Sequence, residues 1–110
     1  MEKFIRGDIV VVPFPFSDLS ESKKRPALVI ANLKGDDVIL TQITSQNVKD
    51  IYAIPLNPQD IESGKLKQIS NIRPNRIFTA DKNIILYKIA HLKMEKMDEV
   101  RNKIIEIINE

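Results

Sequence analysis

The sequence predicts a mainly β fold: a small, strongly curved antiparallel barrel with a single helix at its C-terminal end. Three observations carry this. Six or seven short runs rich in Val, Ile and Leu lie between residues 9 and 89, punctuated by Gly, Pro and Asp or Asn. No helical period intervenes between them, which removes βαβ alternation and a parallel sheet. Only the last segment changes period, with Leu92, Met97, Val100, Ile104, Ile107 and Ile108 recurring at helical spacing.

Taken in order, Gly7-Asp8 signals a turn, and Ile9–Val12 follows as a β-branched strand ended by Pro13. Phe14–Ser22 has no period and contains Pro15 and three serines, so it reads as a long loop. Lys23, Lys24 and Arg25 then run directly into Ala27–Ile30, a short apolar run that reads as a strand buried on both faces. Pro26, lacking an N–H, fits the first residue of that strand. Arg25 is thereby expected at the rim of the core.

Lys34-Gly35-Asp36-Asp37 supplies a hairpin-like turn into Val38–Thr44. Period-2 alternation sends Ile39, Thr41 and Ile43 to one face and Val38, Leu40, Gln42 and Thr44 to the other. Tyr52–Leu56 is a weaker strand, and Pro55 marks it as a sheet edge. Asn57–Lys67 fits a loop or a short helix equally. Gln68–Ile72, Arg76–Thr79 and Ile84–Ile89 are further strands, with Arg73-Pro74-Asn75 a turn between the first two. Met94–Ile108 is an amphipathic helix whose stripe, including Met94 and Met97, belongs to the core.

Composition narrows the chemistry. With 110 residues there is room for one domain, spanning residues 1–110. The absence of Cys removes disulfides, thiolate nucleophiles and zinc–thiolate sites. One His excludes paired imidazoles, and the sequence shows neither a metal site nor a cofactor motif. Asp36-Asp37 is ordinary turn chemistry, and His91 reads as structural. Aromatics at 5% argue against a stacking platform for bases. The charged N-terminus has no signal-peptide core and no apolar run spans a bilayer, so a cytoplasmic protein is expected.

A net charge of +2 neither demands nor forbids a polyanion. What matters is clustering: Lys23, Lys24 and Arg25 abut a strand, and Arg73 and Arg76 follow in a later turn. Thr44, Ser45 and Gln46 put two hydroxyls and an amide at a strand end, where they suit either phosphate oxygens or local turn bonds.

These residues carry a resemblance. Gly7-Asp8-Ile9-Val10, Arg25-Pro26-Ala27-Leu28-Val29-Ile30, Gln42-Ile43-Thr44-Ser45-Gln46 and Asn71-Ile72-Arg73-Pro74 occur in the order and spacing of the MazF/PemK toxin family, closest to its PemK-like branch. The resemblance implies a small SH3-like barrel and a homodimer acting as a metal-independent endoribonuclease. It also implies a single-stranded RNA substrate and a cognate antitoxin partner. Relatives' chief catalytic pair falls on Arg25 and Thr44, with Lys23, Lys24, Arg73, Arg76, Ser20, Ser45, Gln46 and Asn75 as RNA-contacting candidates. Ser20 stands where many relatives have Glu, with Glu21 one place on. Asn75 stands where one subgroup has a catalytic acid. Glu21, Asp18 or a water is left as the general base. The same barrel also serves toxins that trap DNA gyrase without cutting RNA, and a plain interaction module is a further reading.

Overall fold

The computed structural model describes residues 3–14, 23–46 and 49–110. Among these residues seven strands form one antiparallel sheet: β1 (Asp8–Phe14), β2 (Lys23–Asn32), β3 (Asp37–Thr44), β4 (Ile54–Leu56), β5 (Ile61–Gly64), β6 (Ser70–Asp81) and β7 (Tyr87–Leu92). Their order across the sheet is β4-β6-β3-β2-β1-β7-β5, and one helix, α1 (Met94–Ile108), follows.

Alternation along the central strands builds two cores, one on each face of the sheet. Ile9, Leu28, Ile43, Ile72, Ala90 and Leu92 point to one face, where Met97, Val100 and Ile104 of α1 cover them. Val10, Val12, Ala27, Val29, Val38 and Leu40 point to the other, closed by Phe4 and Ile85. The expectation that Ala27–Ile30 is buried on both faces holds, since neighbouring residues of β2 belong to different cores. Each fully buried Leu or Val contributes about 1.5–3 kcal/mol. Their summed burial is what fixes the register, because a one-residue slip would exchange the faces.

Several expected boundaries move. Leu92 belongs to β7 and not to the helical stripe, although it is buried. Met94 is 73% exposed and Ile108 72% exposed, so the stripe that packs is Met97, Val100 and Ile104. Asn57–Lys67 is neither one loop nor one helix: it holds a 3-10 turn at Pro58–Asp60 and then β5. The strand expected at Ile84–Ile89 is shifted, with a 3-10 turn at Lys82–Ile84 preceding β7. Pro55 does lie on an edge strand, as β4 pairs with β6 alone.

The largest correction concerns residues 68–79. The sequence suggests two strands about a turn, but β6 is one strand of 12 residues. Thr41 pairs with Ile77 and the next residue, Gln42, pairs with Arg73, so Pro74, Asn75 and Arg76 bulge out without partners on β3. Thr41, fully buried, fastens this bulge at both ends. Its Oγ1 bonds the Arg73 carbonyl and lies 3.2 Å from the Arg76 carbonyl.

Asp8 performs the equivalent service where the chain enters β1. Buried completely, its carboxylate accepts the Ile5 N–H at 2.9 Å and meets His91 Nδ1 at 2.8 Å. His91 is therefore tied into the fold, as expected.

Candidate functional site

β2 begins at Lys23, well before the expected start at Ala27, because the basic run pairs with β1. Val12 opposes Arg25, Pro13 opposes Lys24 and Phe14 opposes Lys23. The ladder between β2 and β3 reaches only as far as Ala27, opposite Gln42. Lys23–Pro26 is thus paired on one side and open on the other. Pro26 is the fourth residue of β2 and not the first; it is accommodated because the open side asks for no N–H.

Continuing the register of Ala27 with Gln42 by two residues brings Arg25 across from Thr44, the last residue of β3. Two hollows flank this pair. One, of about 200 Å³, is lined by Arg25, Gln42, Thr44, Gln46, Arg73 and the rings of Phe14 and Phe78. The second, of about 380 Å³, is lined by Lys24, Arg25, Thr44, Ser45, Lys65, Lys67 and Tyr87. Arg25, Pro26, Ile43 and Thr44 line both hollows and form the ridge between them, Arg25 and Thr44 supplying its polar groups.

Each side chain is oriented by its local structure. Arg25 is exposed and forms no ion pair among the described residues, which leaves its donors free. Thr44 Oγ1 accepts the Gln46 N–H at 3.2 Å, so the hydroxyl proton remains available to an outside acceptor. The local turn bond and the outward donor are thus compatible. Lys24 Nζ stands 6.0 Å from the Tyr87 ring centre. Although aromatics are few, Phe14 and Phe78 meet in the first hollow with centroids 6.2 Å apart.

Arg73 enters from the β6 bulge. One of its terminal nitrogens, Nη2, donates to Asp50 Oδ2 at 3.3 Å, while its buried Nε meets no acceptor among the described residues. Asp50 also accepts the Tyr52 N–H at 3.0 Å. That backbone bond, with help from Asn75 and Arg73, holds the Asp50 carboxyl below its ordinary range.

The structure therefore brings together Arg25, Thr44, Gln46 and Arg73, with Lys24 and Ser45 on the second side. Lys23, Arg76 and Asn75 line neither hollow: Lys23 is exposed toward the start of β2, and the other two project on the bulge. Ser20, Glu21 and Asp18 lie outside the described residues. The sequence reading missed Asp50, Thr41, Gln42, Lys65, Lys67 and Tyr87. Lys65-Leu66-Lys67 offered a local signal, a basic pair around an apolar residue; Asp50 and Thr41 offered none. No group of three or more His, Cys, Asp and Glu suited to a metal ion occurs among the described residues.

The curled antiparallel sheet with one helix over a face is the fold of solved MazF structures. Among solved structures, MazF from Deinococcus radiodurans superposes with a TM-score of 0.77 at 17% identity over all of both chains. The MazE–MazF complex from Deinococcus radiodurans gives 0.78 at 16% identity, covering 99% of this chain and 98% of that one. An endoribonuclease from a mycobacterial species gives 0.75 at 15% identity, covering 99% and 94%. Comparison with curated proteins by sequence gives no match. The chain belongs to the PemK-like, MazF-like toxins of type II toxin–antitoxin systems, whose family model matches residues 5–108.

Proposed function

We propose that this chain is an endoribonuclease toxin that cuts single-stranded RNA, the phosphodiester resting on the ridge formed by Arg25 and Thr44. The observation that carries the reading is their placement: two adjacent strands put a guanidinium and a hydroxyl on the wall between two hollows. A chain passing over that wall has one nucleotide on each side and its phosphate at the crest.

Cleavage proceeds by attack of the ribose 2′-oxygen on phosphorus, its proton passing to Glu21, Asp18 or a water, while the bond to the 5′-oxygen breaks, leaving a 2′,3′-cyclic phosphate and a 5′-hydroxyl. A guanidinium is a poor base at neutral pH, so Arg25 clamps the charged phosphorane and delivers a proton to the departing oxygen. Thr44 donates to a non-bridging oxygen. Lys24, Lys65 and Lys67 hold flanking phosphates on the second side. Ser45, Gln46 and Arg73 complete the RNA-contacting surface.

Residues 1–110 act as one toxin domain, in the cytoplasm, as a homodimer with RNA in a groove between protomers. A segment of the cognate antitoxin docks there and blocks the site. The similarity to MazE–MazF supports this partnership. No helix among the described residues is long and apolar enough to cross a membrane.

The test is incubation of RNA with the pure protein in EDTA. Cleavage is expected to persist and to fall about 100- to 1000-fold in Arg25→Ala, with Thr44→Ser retaining more activity than Thr44→Ala. Intact RNA with the wild-type protein removes the nuclease reading and favours a toxin that only binds a protein target. Cutting that requires metal removes the mechanism.

A further inference from the structure

We infer that Asp50 is a positioning residue of the RNA site, holding the Arg73 guanidinium at the first hollow, where a phosphate would rest. This deepens the nuclease reading and rests on it.

Three observations converge. Asp50 lies in the segment between β3 and β4, yet its carboxylate reaches back to Arg73 Nη2 at 3.3 Å, and both side chains are largely buried, 13% and 21% exposed. The two oxygens divide their work. Oδ1 is fixed by the Tyr52 N–H at 3.0 Å, and Oδ2 takes the guanidinium. Asn75, in the bulge of β6, joins Arg73 in lowering the Asp50 carboxyl, so one carboxylate acts on both residues.

A guanidinium held at one terminal nitrogen can no longer rotate freely, and its remaining donors keep fixed directions. One of them, Nε, is buried and meets no acceptor among the described residues. Arg73 lines the first hollow beside Arg25, Thr44 and Gln46, all donors, a lining that suits an anionic oxygen.

This arrangement also accounts for Asn75. It is uncharged at the position where one subgroup of the resembled family has an acid. Here the negative charge that anchors Arg73 comes from a different segment, behind the guanidinium. Asp50 lines neither hollow, so it acts through Arg73 and not on the substrate.

A double-mutant cycle tests this, using Asp50→Ala, Arg73→Ala and the double variant, with Asp50→Asn as a gentler change. Single-turnover cleavage of a single-stranded RNA and affinity for the all-2′-deoxy oligonucleotide of that sequence are both measured, with thermal unfolding to check folding. Asp50→Ala is expected to slow cleavage and weaken affinity about 10-fold or more, and to have almost no effect once Arg73 is Ala. Asp50→Asn, which keeps an acceptor but loses the charge, should fall between wild type and Asp50→Ala. Losses that multiply in the double variant, or a folded Asp50→Ala or Asp50→Asn protein with wild-type affinity and rate, overturn the assignment. Should the wild type bind oligonucleotide without cutting RNA, the nuclease reading fails, and the coupling in affinity alone decides the role of Asp50. Failure of the wild type to bind either strand overturns both.

Discussion

Replacing Thr41 by Val removes a single hydroxyl from the interior while keeping the shape and β-branching of the side chain. In the native protein that oxygen bonds the Arg73 carbonyl and lies 3.2 Å from the Arg76 carbonyl, the two ends of the β6 bulge. One hydroxyl proton serves one carbonyl at a time, so the loss is one net hydrogen bond together with the cost of a carbonyl left dry. The first is worth about 1 kcal/mol and the second about 1–3 kcal/mol. The greater apolarity of Val returns part of this, for a net loss of roughly 2 kcal/mol. With an unfolding entropy near 2 cal/mol/K per residue, that is a drop in Tm of roughly 9 °C for a chain of this length. Calorimetry at fixed protein concentration measures it, since self-association would otherwise shift the midpoint. Loosening of the bulge should also release Arg73, so RNA affinity falls alongside stability. A Thr41→Val protein with an unchanged midpoint would refute the claim that this hydroxyl holds the bulge.

Three further outcomes follow from the packing and charge. Leu28 is fully buried in the core beneath α1, so Leu28→Ala should cost about 2–5 kcal/mol by urea denaturation, with the slope against denaturant unchanged. Gly64 has φ +82°, and a Cβ there would lie 2.2 Å from the Ile89 carbonyl oxygen. Gly64→Ala should therefore destabilise the protein by more than about 1 kcal/mol and disturb the Lys65–Lys67 side of the second hollow. Asp50 has a carboxyl held below 3.8, chiefly by the Tyr52 N–H. Its contribution to stability is present above the unfolded value and is lost as pH falls through the lower folded value. The difference in stability between wild type and Asp50→Asn should thus be constant at neutral pH and shrink only below about pH 4. A difference that narrows between pH 8 and 6 would contradict this origin.

Much of the fold was legible because local pattern and tertiary arrangement agree. The β-branched runs at Ile9–Val12, Ala27–Ile30 and Val38–Thr44 became the three central strands, and Met97, Val100 and Ile104 became the packed helix face. Boundaries failed where pairing overrode composition. Three consecutive cations look like a solvated end, yet Lys23–Arg25 is extended because β1 supplies partners on one side. Likewise Arg-Pro-Asn reads as a turn in isolation, and only the ladder to β3 makes it a bulge within one strand.

The site divides along the same line. The strand-head Arg25, the strand-end Thr44 and the later Arg73 stand out by residue type and by their place against apolar runs. Asp50 and Thr41 have no such local mark, because their importance lies in contacts across 23 and 32 positions of sequence. By itself the sequence determined the alternating faces, the helix and the cations that the chain can offer, since each depends only on neighbours along the backbone. Only the tertiary structure decided which donors converge and which acceptor holds them. Hydrogen bonding of a buried side chain depends on distance in space, and spacing along the chain does not encode that distance.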